Sequence, residues 1–284
     1  MTVGELRRQG SVELQEAGIE NDRFEVDCLL AAAVGQKRTW LLLHAEEPVD
    51  SRRESRYHAL LQRRMAGEPL QYILGEWDFL DITLQLGPGV LIPRPETESL
   101  AKIALEAARA YSAPIVVDLC AGSGCIGFSI AKSCPQARVY LIEKYKEAFL
   151  FLKINEKQLH LTNTYCILKD IYEGFSEGAV FAGAHILVSN PPYIPSGALR
   201  GLQREVQREP KTALNGGADG LDFYRVMAEK WLDCLLPGGA LAVECGEGQA
   251  EAVAALFRAK GLAIAIQKDF RGVKRFVTAT REKE

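Results

Sequence analysis

Ile115-Val116-Val117-Asp118-Leu119-Cys120-Ala121-Gly122-Ser123-Gly124 opens on an apolar, β-branched run, sets one acid inside it, and then turns on two glycines. A short apolar run that stops at a glycine turn reads as a buried strand. Cys125 to Ser133 follows as a helix. The same unit then repeats. Arg138 to Ile142 is a strand ending at Glu143, and Lys146 to Leu159 a helix. Tyr165 to Leu168 is a strand leading to Asp170, and His185 to Ser189 a strand leading to Asn190. Leu221 to Leu235 is helical, Leu236-Pro237-Gly238-Gly239 turns, and Ala240 to Glu244 returns as a strand. Helix Gly248 to Lys260 and strands Leu262 to Gln267 and Arg275 to Thr280 finish the pattern. Alternating strands and helices predict an α/β fold with a doubly wound, mostly parallel, seven-stranded sheet. Only Lys268 to Lys274 joins the last two strands. That is too short for a parallel crossover, so the final strand is expected antiparallel.

Asn190-Pro191-Pro192-Tyr193 lies just past the carboxyl end of the fourth strand. Two prolines stop the strand and stiffen the backbone there. In an open α/β sheet that edge is where ligands bind. The stretch offers a carboxamide, an unpaired carbonyl on Pro191 and an aromatic ring, and proline donates no hydrogen bond. Such a loop is biased to accept, which suits a planar NH2 group.

The acids at the other strand ends narrow the ligand. A Gly-x-Gly turn by itself is weak evidence, because oxidoreductases use a related one. Asp118 just before the turn suits a ligand ammonium and would repel a pyrophosphate. Glu143, ending the second strand, could accept from both ribose hydroxyls, as nucleotide sites require. Asp170, beside Ile171, could accept from an adenine amino group. Each acid could also be a solvated loop carboxylate. Together with Cys120, Ala121, Gly122, Ser123 and Gly124 of the turn, and with Asn190, they point to S-adenosylmethionine.

The first 75 residues contain no strand pattern. Phe24, Val26, Leu29, Leu30 and Ala33, then Trp40, Leu41 and Leu43, then Leu60, Leu61 and Met65, recur at helical spacing. A small helical domain over 1–75 is expected. Arg52, Arg53, Arg56, Arg63 and Arg64 cluster on one helix; they read either as a solvated face or as a dock for an acidic or RNA-rich partner. Trp77 to Leu86 partly alternates, Gly87-Pro88-Gly89 turns, and Val90-Leu91-Ile92 returns. This predicts a β-hairpin linker over 76–93, followed by a helix from Thr97 to Ala110 and a third region over 94–284.

The chain has 284 residues, 48% hydrophobic and 25% charged, with formal net charge −3. That composition is ordinary for a soluble enzyme and argues against a general nucleic-acid coat. No signal peptide or membrane span is expected. Seven cysteines without a CxxC pair suggest reduced thiols in the cytosol. Cys120 and Cys125 read as small residues at tight packing, and no metal is expected.

The Gly-x-Gly turn, Glu143 and Asn190-Pro191-Pro192-Tyr193 resemble a class I S-adenosylmethionine-dependent methyltransferase that methylates amino groups. Leu91-Ile92-Pro93-Arg94-Pro95-Glu96-Thr97-Glu98, Gly216-Gly217-Ala218-Asp219-Gly220-Leu221-Asp222-Phe223-Tyr224 and the helical amino-terminal region extend the resemblance over the whole chain. They make it similar to the HemK/PrmC family of release factor glutamine methyltransferases. One departure is Cys120-Ala121, where Gly-Thr or similar is expected; both glycines survive. The resemblance implies methylation of the side-chain nitrogen (N5) of the glutamine in the Gly-Gly-Gln motif of peptide chain release factors. It would make Asn190, Pro191 and Tyr193 catalytic and would add Pro192 and Arg94 to the substrate side. Arg94 could equally form a structural ion pair. A cytoplasmic monomer without a stable nucleic-acid complex is expected, its helical domain recognising the release factor. Three alternatives stand: a glutamine methyltransferase of a ribosomal protein, a nucleic-acid adenine N6-methyltransferase, and a cofactor-binding scaffold without turnover.

Overall fold

A computed structural model describes residues 1–176, 181 and 183–282; of the expected 94–284 region, 177–180, 182 and 283–284 lie outside it. The chain divides into two units. One is Met1–Trp77 together with Gln203–Arg208, the other Asp78–Leu202 with Glu209–Glu284.

The first unit is helical: α1 Val3–Glu16, α2 Asp22–Val34, α3 Arg38–Leu43, α4 Ser51–Met65 and α5 Leu70–Leu74. Thr2 and Glu5 form a reciprocal cap that satisfies free N–H groups at the start of α1. Asp50 accepts from Arg52 N and Arg53 N and starts α4 in the same way. Leu6, Leu14, Val26, Leu29, Leu30 and Leu61 make the core. The Tyr57 hydroxyl donates to the Leu6 carbonyl inside it, 3.2 Å away. Helical spacing overreaches at two positions. Phe24 is 40% and Leu43 82% exposed. Of the clustered arginines, 52, 53, 56 and 63 are exposed and Arg64 is buried.

The second unit begins within a two-stranded sheet, β1 Glu76–Phe79 and β2 Ile82–Gln85. The hairpin is thus tighter than expected. Its turn is Leu80-Asp81, with Leu80 at φ 52°. Gly87-Pro88-Gly89 does turn, but Val90-Leu91-Ile92 is not a strand. Next come α6 Pro95–Ala108, β3 Ile115–Leu119, α7 Cys125–Ser133, β4 Arg138–Glu143, α8 Lys146–Leu159, β5 Thr164–Leu168 and β6 Ala184–Ser189. The chain closes with α9 Asp222–Lys230, β7 Leu235–Glu244, α10 Ala250–Arg258, β8 Ala263–Lys268 and β9 Lys274–Thr280.

The large sheet has seven strands in the order β5-β4-β3-β6-β7-β9-β8. β3, β4, β5, β6 and β7 pair in parallel, and β9 runs antiparallel to both neighbours. The last strand of the chain therefore slots between β7 and β8. The expected turn at 236–239 lies inside β7 as an irregularity. Pairing jumps there from Ala184↔Leu235 to Ile186↔Ala240. Alternate residues of β3 serve the two faces, as strand geometry requires. Ile115, Val117 and Leu119 join the cluster holding Tyr224, Met227 and Val253 of α9 and α10. Asp118 points the other way and accepts from Gly127 N of α7. This arrangement brings the carboxyl ends of the five parallel strands to one edge.

Candidate active site

A cavity of about 830 Å3, counting its open mouth, lies on that edge. Cys120, Ala121, Gly122 and Ser123 form one wall, Glu143 and Asp170-Ile171 another. Asn190, Pro192, Thr97 and Phe223 are also part of the lining.

The turn after β3 is held in place from below. Gly124 sits at φ 84° and precedes α7. A Cβ there would fall 2.2 Å from Phe128 and 2.7 Å from Leu152, so only glycine fits. Cys120 occupies the left-handed region as well, at φ 61°. That conformation is cheap for glycine and costs another residue about 1–2 kcal/mol. The departure from the expected glycine is thus carried as local strain, with the turn intact.

Glu143 is buried, and three backbone N–H groups reach it. Lys144 N and Tyr145 N donate to Oε1 at 2.8 Å each, and Gly122 N donates to Oε2 at 2.9 Å. A carboxylate has about four lone-pair sites. One remains for a ligand hydroxyl, fewer than the two acceptances expected from position alone. Burial pushes the Glu143 carboxyl up, and the three N–H groups pull it back. Asp170 receives Tyr172 N on Oδ1 at 3.0 Å and Lys144 Nζ on Oδ2 at 2.8 Å. Burial works against its charge, but Lys144, Tyr172 N and Lys230 hold it below the usual carboxylate range.

Asp118 does not line the cavity. It is 1% exposed, receives Gly127 N on Oδ2 at 2.9 Å, and has no partner on Oδ1. Burial pushes its carboxyl up to about 8; the Gly127 N–H opposes this and Glu143 adds to it. Gly124, Pro191, Tyr193 and Arg94 are likewise outside the lining.

Asn190 sits at the cavity with a divided carboxamide. Nδ2 donates to Thr97 Oγ1 at 3.0 Å, while the buried Oδ1 has no partner. Among the described residues no donor reaches the Pro191 carbonyl either. Two buried acceptors on consecutive residues are therefore without a partner, and of the two residues Asn190 lines the cavity. Leaving a buried acceptor unmade costs about 1–3 kcal/mol, which a ligand N–H would recover. Tyr193 packs on the core of this unit, and burial raises its hydroxyl to about 12. Its carbonyl accepts from Gln249 Nε2 at 2.9 Å.

The glycine-rich 216–220 loop clamps the same segment. Gly216 N donates to the Ile194 carbonyl at 2.9 Å, and Ile194 N to the Leu214 carbonyl at 2.9 Å. A Cβ on Gly216 would lie 2.7 Å from Tyr193 Cα and 2.8 Å from the Pro192 carbonyl. Arg94 pairs with Glu209, which is 4% exposed and also accepts from Ile92 N at 3.0 Å. That is the structural ion pair, away from the cavity lining.

Two residues escaped the sequence reading. Thr97 is 1% exposed, and its hydroxyl donates to Glu244 Oε2 at 2.8 Å. Glu244 is 1% exposed at the end of β7, and burial lifts its carboxyl to about 7 despite Thr97, Arg275 and Arg94. An acid closing an apolar strand beside Asn190's strand was the available signal; Thr97 had been absorbed into a helix start.

The residues fit an adenosyl ligand. A Cβ on Gly122 would meet only Val90, at 3.9 Å, so the turn leaves room for close approach. Glu143 keeps an acceptor at the wall. Among the described residues, no group of acids, histidines and cysteines could hold a metal ion.

Two family models match the chain: the PrmC N-terminal domain over residues 5–75 and the methyltransferase small domain over residues 99–217. A release factor glutamine methyltransferase of Geobacter sulfurreducens is 39% identical over 249 residues, 87% of this chain and 85% of its own. One from Deinococcus radiodurans is 33% identical over 285 residues, 99% of each chain. A methyltransferase structure from Pyrococcus furiosus shares the fold, with TM-score 0.51 and 15% identity over 70% of this chain and 88% of that one. Identity at this level, sustained over both units, makes the chain a member of the release factor glutamine methyltransferase family.

Proposed function

We propose that this protein transfers the methyl group of S-adenosylmethionine to the side-chain nitrogen of the glutamine in the Gly-Gly-Gln motif of a peptide chain release factor. The observation that carries this reading is the unpartnered Oδ1 of Asn190, a residue that lines the cavity, with the Pro191 carbonyl, which no described donor reaches, next to it in the chain.

An amide nitrogen is a poor nucleophile, because its lone pair is delocalised into the carbonyl. Deprotonating it first is not feasible at neutral pH. When bound, the cofactor supplies an electrophilic methyl on a sulfonium. Gly122, Glu143 and Asp170 would hold its adenosyl portion. Asn190 Oδ1 and the Pro191 carbonyl each accept one N–H of the target carboxamide. This fixes the nitrogen's direction of attack, and alignment lowers the barrier. As the nitrogen–carbon bond forms and the sulfur–carbon bond breaks, positive charge grows on the nitrogen. The two oxygens would face that charge, an electrostatic stabilisation present before the reaction begins. The extra proton then leaves to water. Tyr193 supports the segment through the core rather than stacking on the target.

We infer further that residues 1–75 form the domain that recognises the release factor, that the 76–93 linker joins it to the 94–284 methyltransferase domain, and that the protein works as a cytoplasmic monomer without a stable nucleic-acid complex. No helix among the described residues is long and apolar enough to cross a membrane.

The test is methyl transfer from labelled cofactor, offering a release factor, its Gly-Gly-Ala variant, ribosomal protein and DNA in parallel. Label on the intact release factor alone is the expected result. Label on ribosomal protein or DNA, with none on the release factor, overturns the assignment.

A further inference from the structure

Glu244, Thr97 and Asn190 form a directed chain of hydrogen bonds. Thr97 has a single hydroxyl proton and gives it to Glu244 Oε2 at 2.8 Å. An ionised carboxylate can only accept. With its proton committed, Thr97 Oγ1 can only accept from Asn190, so Asn190 must turn Nδ2 towards it, which it does at 3.0 Å. Oδ1 is then left without a partner.

We propose that Thr97 and Glu244 are positioning residues which set the flip of the Asn190 carboxamide, keeping Oδ1 free for the target N–H. This rests on the glutamine-methylating reading above. The alternative flip presents a donor to a donor. It would repel the target amide and remove one of its two acceptors.

The relay has a second state. A protonated Glu244 donates to Thr97 Oγ1, which frees the Thr97 proton. Thr97 then donates to Asn190, and the favoured flip reverses. Glu244 titrates within reach of physiological pH, because burial raises it to about 7. Arg275 on β9 and Arg94 before α6 favour its charge, and Glu96 on α6 opposes it. Tyr193, Tyr224, Cys125 and Cys245 face it from the other elements; burial raises all four, and they stay neutral across this range. The open state of Asn190 therefore belongs to the ionised acid, and turnover falls as pH drops through Glu244's titration.

The experiment measures kcat and KM for a full-length release factor between pH 5.5 and 9, with cofactor affinity by calorimetry. Wild type is compared with Thr97→Val, Thr97→Ser and Glu244→Gln. Thr97→Val, isosteric but without the hydroxyl, is expected to lower kcat by up to about a hundred-fold, with cofactor affinity little changed. Thr97→Ser, which keeps the hydroxyl, restores most of the loss. Wild-type kcat declines below about pH 7, and Glu244→Gln loses that decline. Wild-type kcat in Thr97→Val, an equal defect in Thr97→Ser, or an unaltered acid limb in Glu244→Gln each overturns the relay. If Thr97→Val does not fold, the serine and glutamine variants still decide. A wild-type enzyme that binds cofactor yet methylates no release factor at any pH overturns the function reading instead.

Discussion

Arg64 on α4 holds Glu205, a residue 141 positions later in the chain, through Nη2 at 2.5 Å. The same guanidinium donates from Nε and Nη2 to the Glu25 carboxylate of α2, and Arg64 itself is 2% exposed. The arginine that looked like one of a solvated row is the staple that binds segment 203–208 into the helical unit. Arg204 adds to it, donating from Nη2 to the Ala66 carbonyl at 2.9 Å.

Of the two pairs, Arg64–Glu25 is the buried one, and removing Arg64 strands that acid. Arg64→Ala should therefore destabilise the protein by about 3–5 kcal/mol. The urea midpoint of the full chain should fall, and protease should cut near Gln203–Arg208 first. Arg64→Lys should recover only part, because an ammonium cannot engage both acids through a planar fork. An unchanged midpoint in Arg64→Ala would contradict the staple.

Glu143 gathers the turn after β3 and the start of α8 through three N–H bonds, and it offers the cavity one more acceptor site. Glu143→Ala should weaken cofactor binding by about 1–3 kcal/mol, the cost of leaving a ligand hydroxyl without its acceptor. Calorimetry measures it. Retained affinity would mean that the adenosyl group lies elsewhere.

Gly216 touches the backbone of Pro192 and Tyr193 closely enough that a methyl group cannot fit without moving one of them. Gly216→Ala should shift the Asn190–Tyr193 segment. A displacement near 1 Å costs up to about a hundred-fold in rate, while the cofactor wall is built from other strands. The expected signature is a low kcat at near-normal cofactor affinity. Equal loss of both would assign the loop to cofactor binding.

Asp118 links stability to pH. Its carboxyl moves from 3.8 to about 8 in the folded protein. Within that window the folded state keeps a proton that the unfolded state has lost. Stability must then fall as pH rises through the window, by about 1.4 kcal/mol per pH unit for one proton. Asp118→Asn should flatten the slope by that amount in denaturant unfolding without cofactor. An unaltered slope would show that Asp118 ionises freely.

Strand-turn-helix alternation is local, which is why β3 to β6 and the turn at Gly122-Ser123-Gly124 were legible in the residues alone. The slot of β9 between β7 and β8 depends on pairing between distant segments; only its direction followed from the short preceding loop. Leu80 takes a left-handed turn without a glycine to mark it, so the alternation of Trp77 to Leu86 alone does not show where the hairpin closes. Pro237-Gly238-Gly239 carries turn residues, yet pairing on both sides keeps it within β7. At the site, Asn190 and Glu143 stand at the ends of their strands and line the cavity, a placement that position makes legible, whereas Pro191 falls outside the lining. Thr97 was not legible, since its role comes from where α6 lies against the ends of β6 and β7. Asp118 and Arg94 were readable as polar residues near the site, but their partners, Gly127 and Glu209, were not.

The central claim is that Asn190 Oδ1 and the Pro191 carbonyl grip the target carboxamide. Methylation of a release factor by Asn190→Ala, beside its cofactor affinity, tests this most directly. Turnover should drop by about 2–4 kcal/mol in transition-state terms, as when one preorganised polar contact is removed, with cofactor binding nearly intact. Near-normal turnover in that variant would contradict the account.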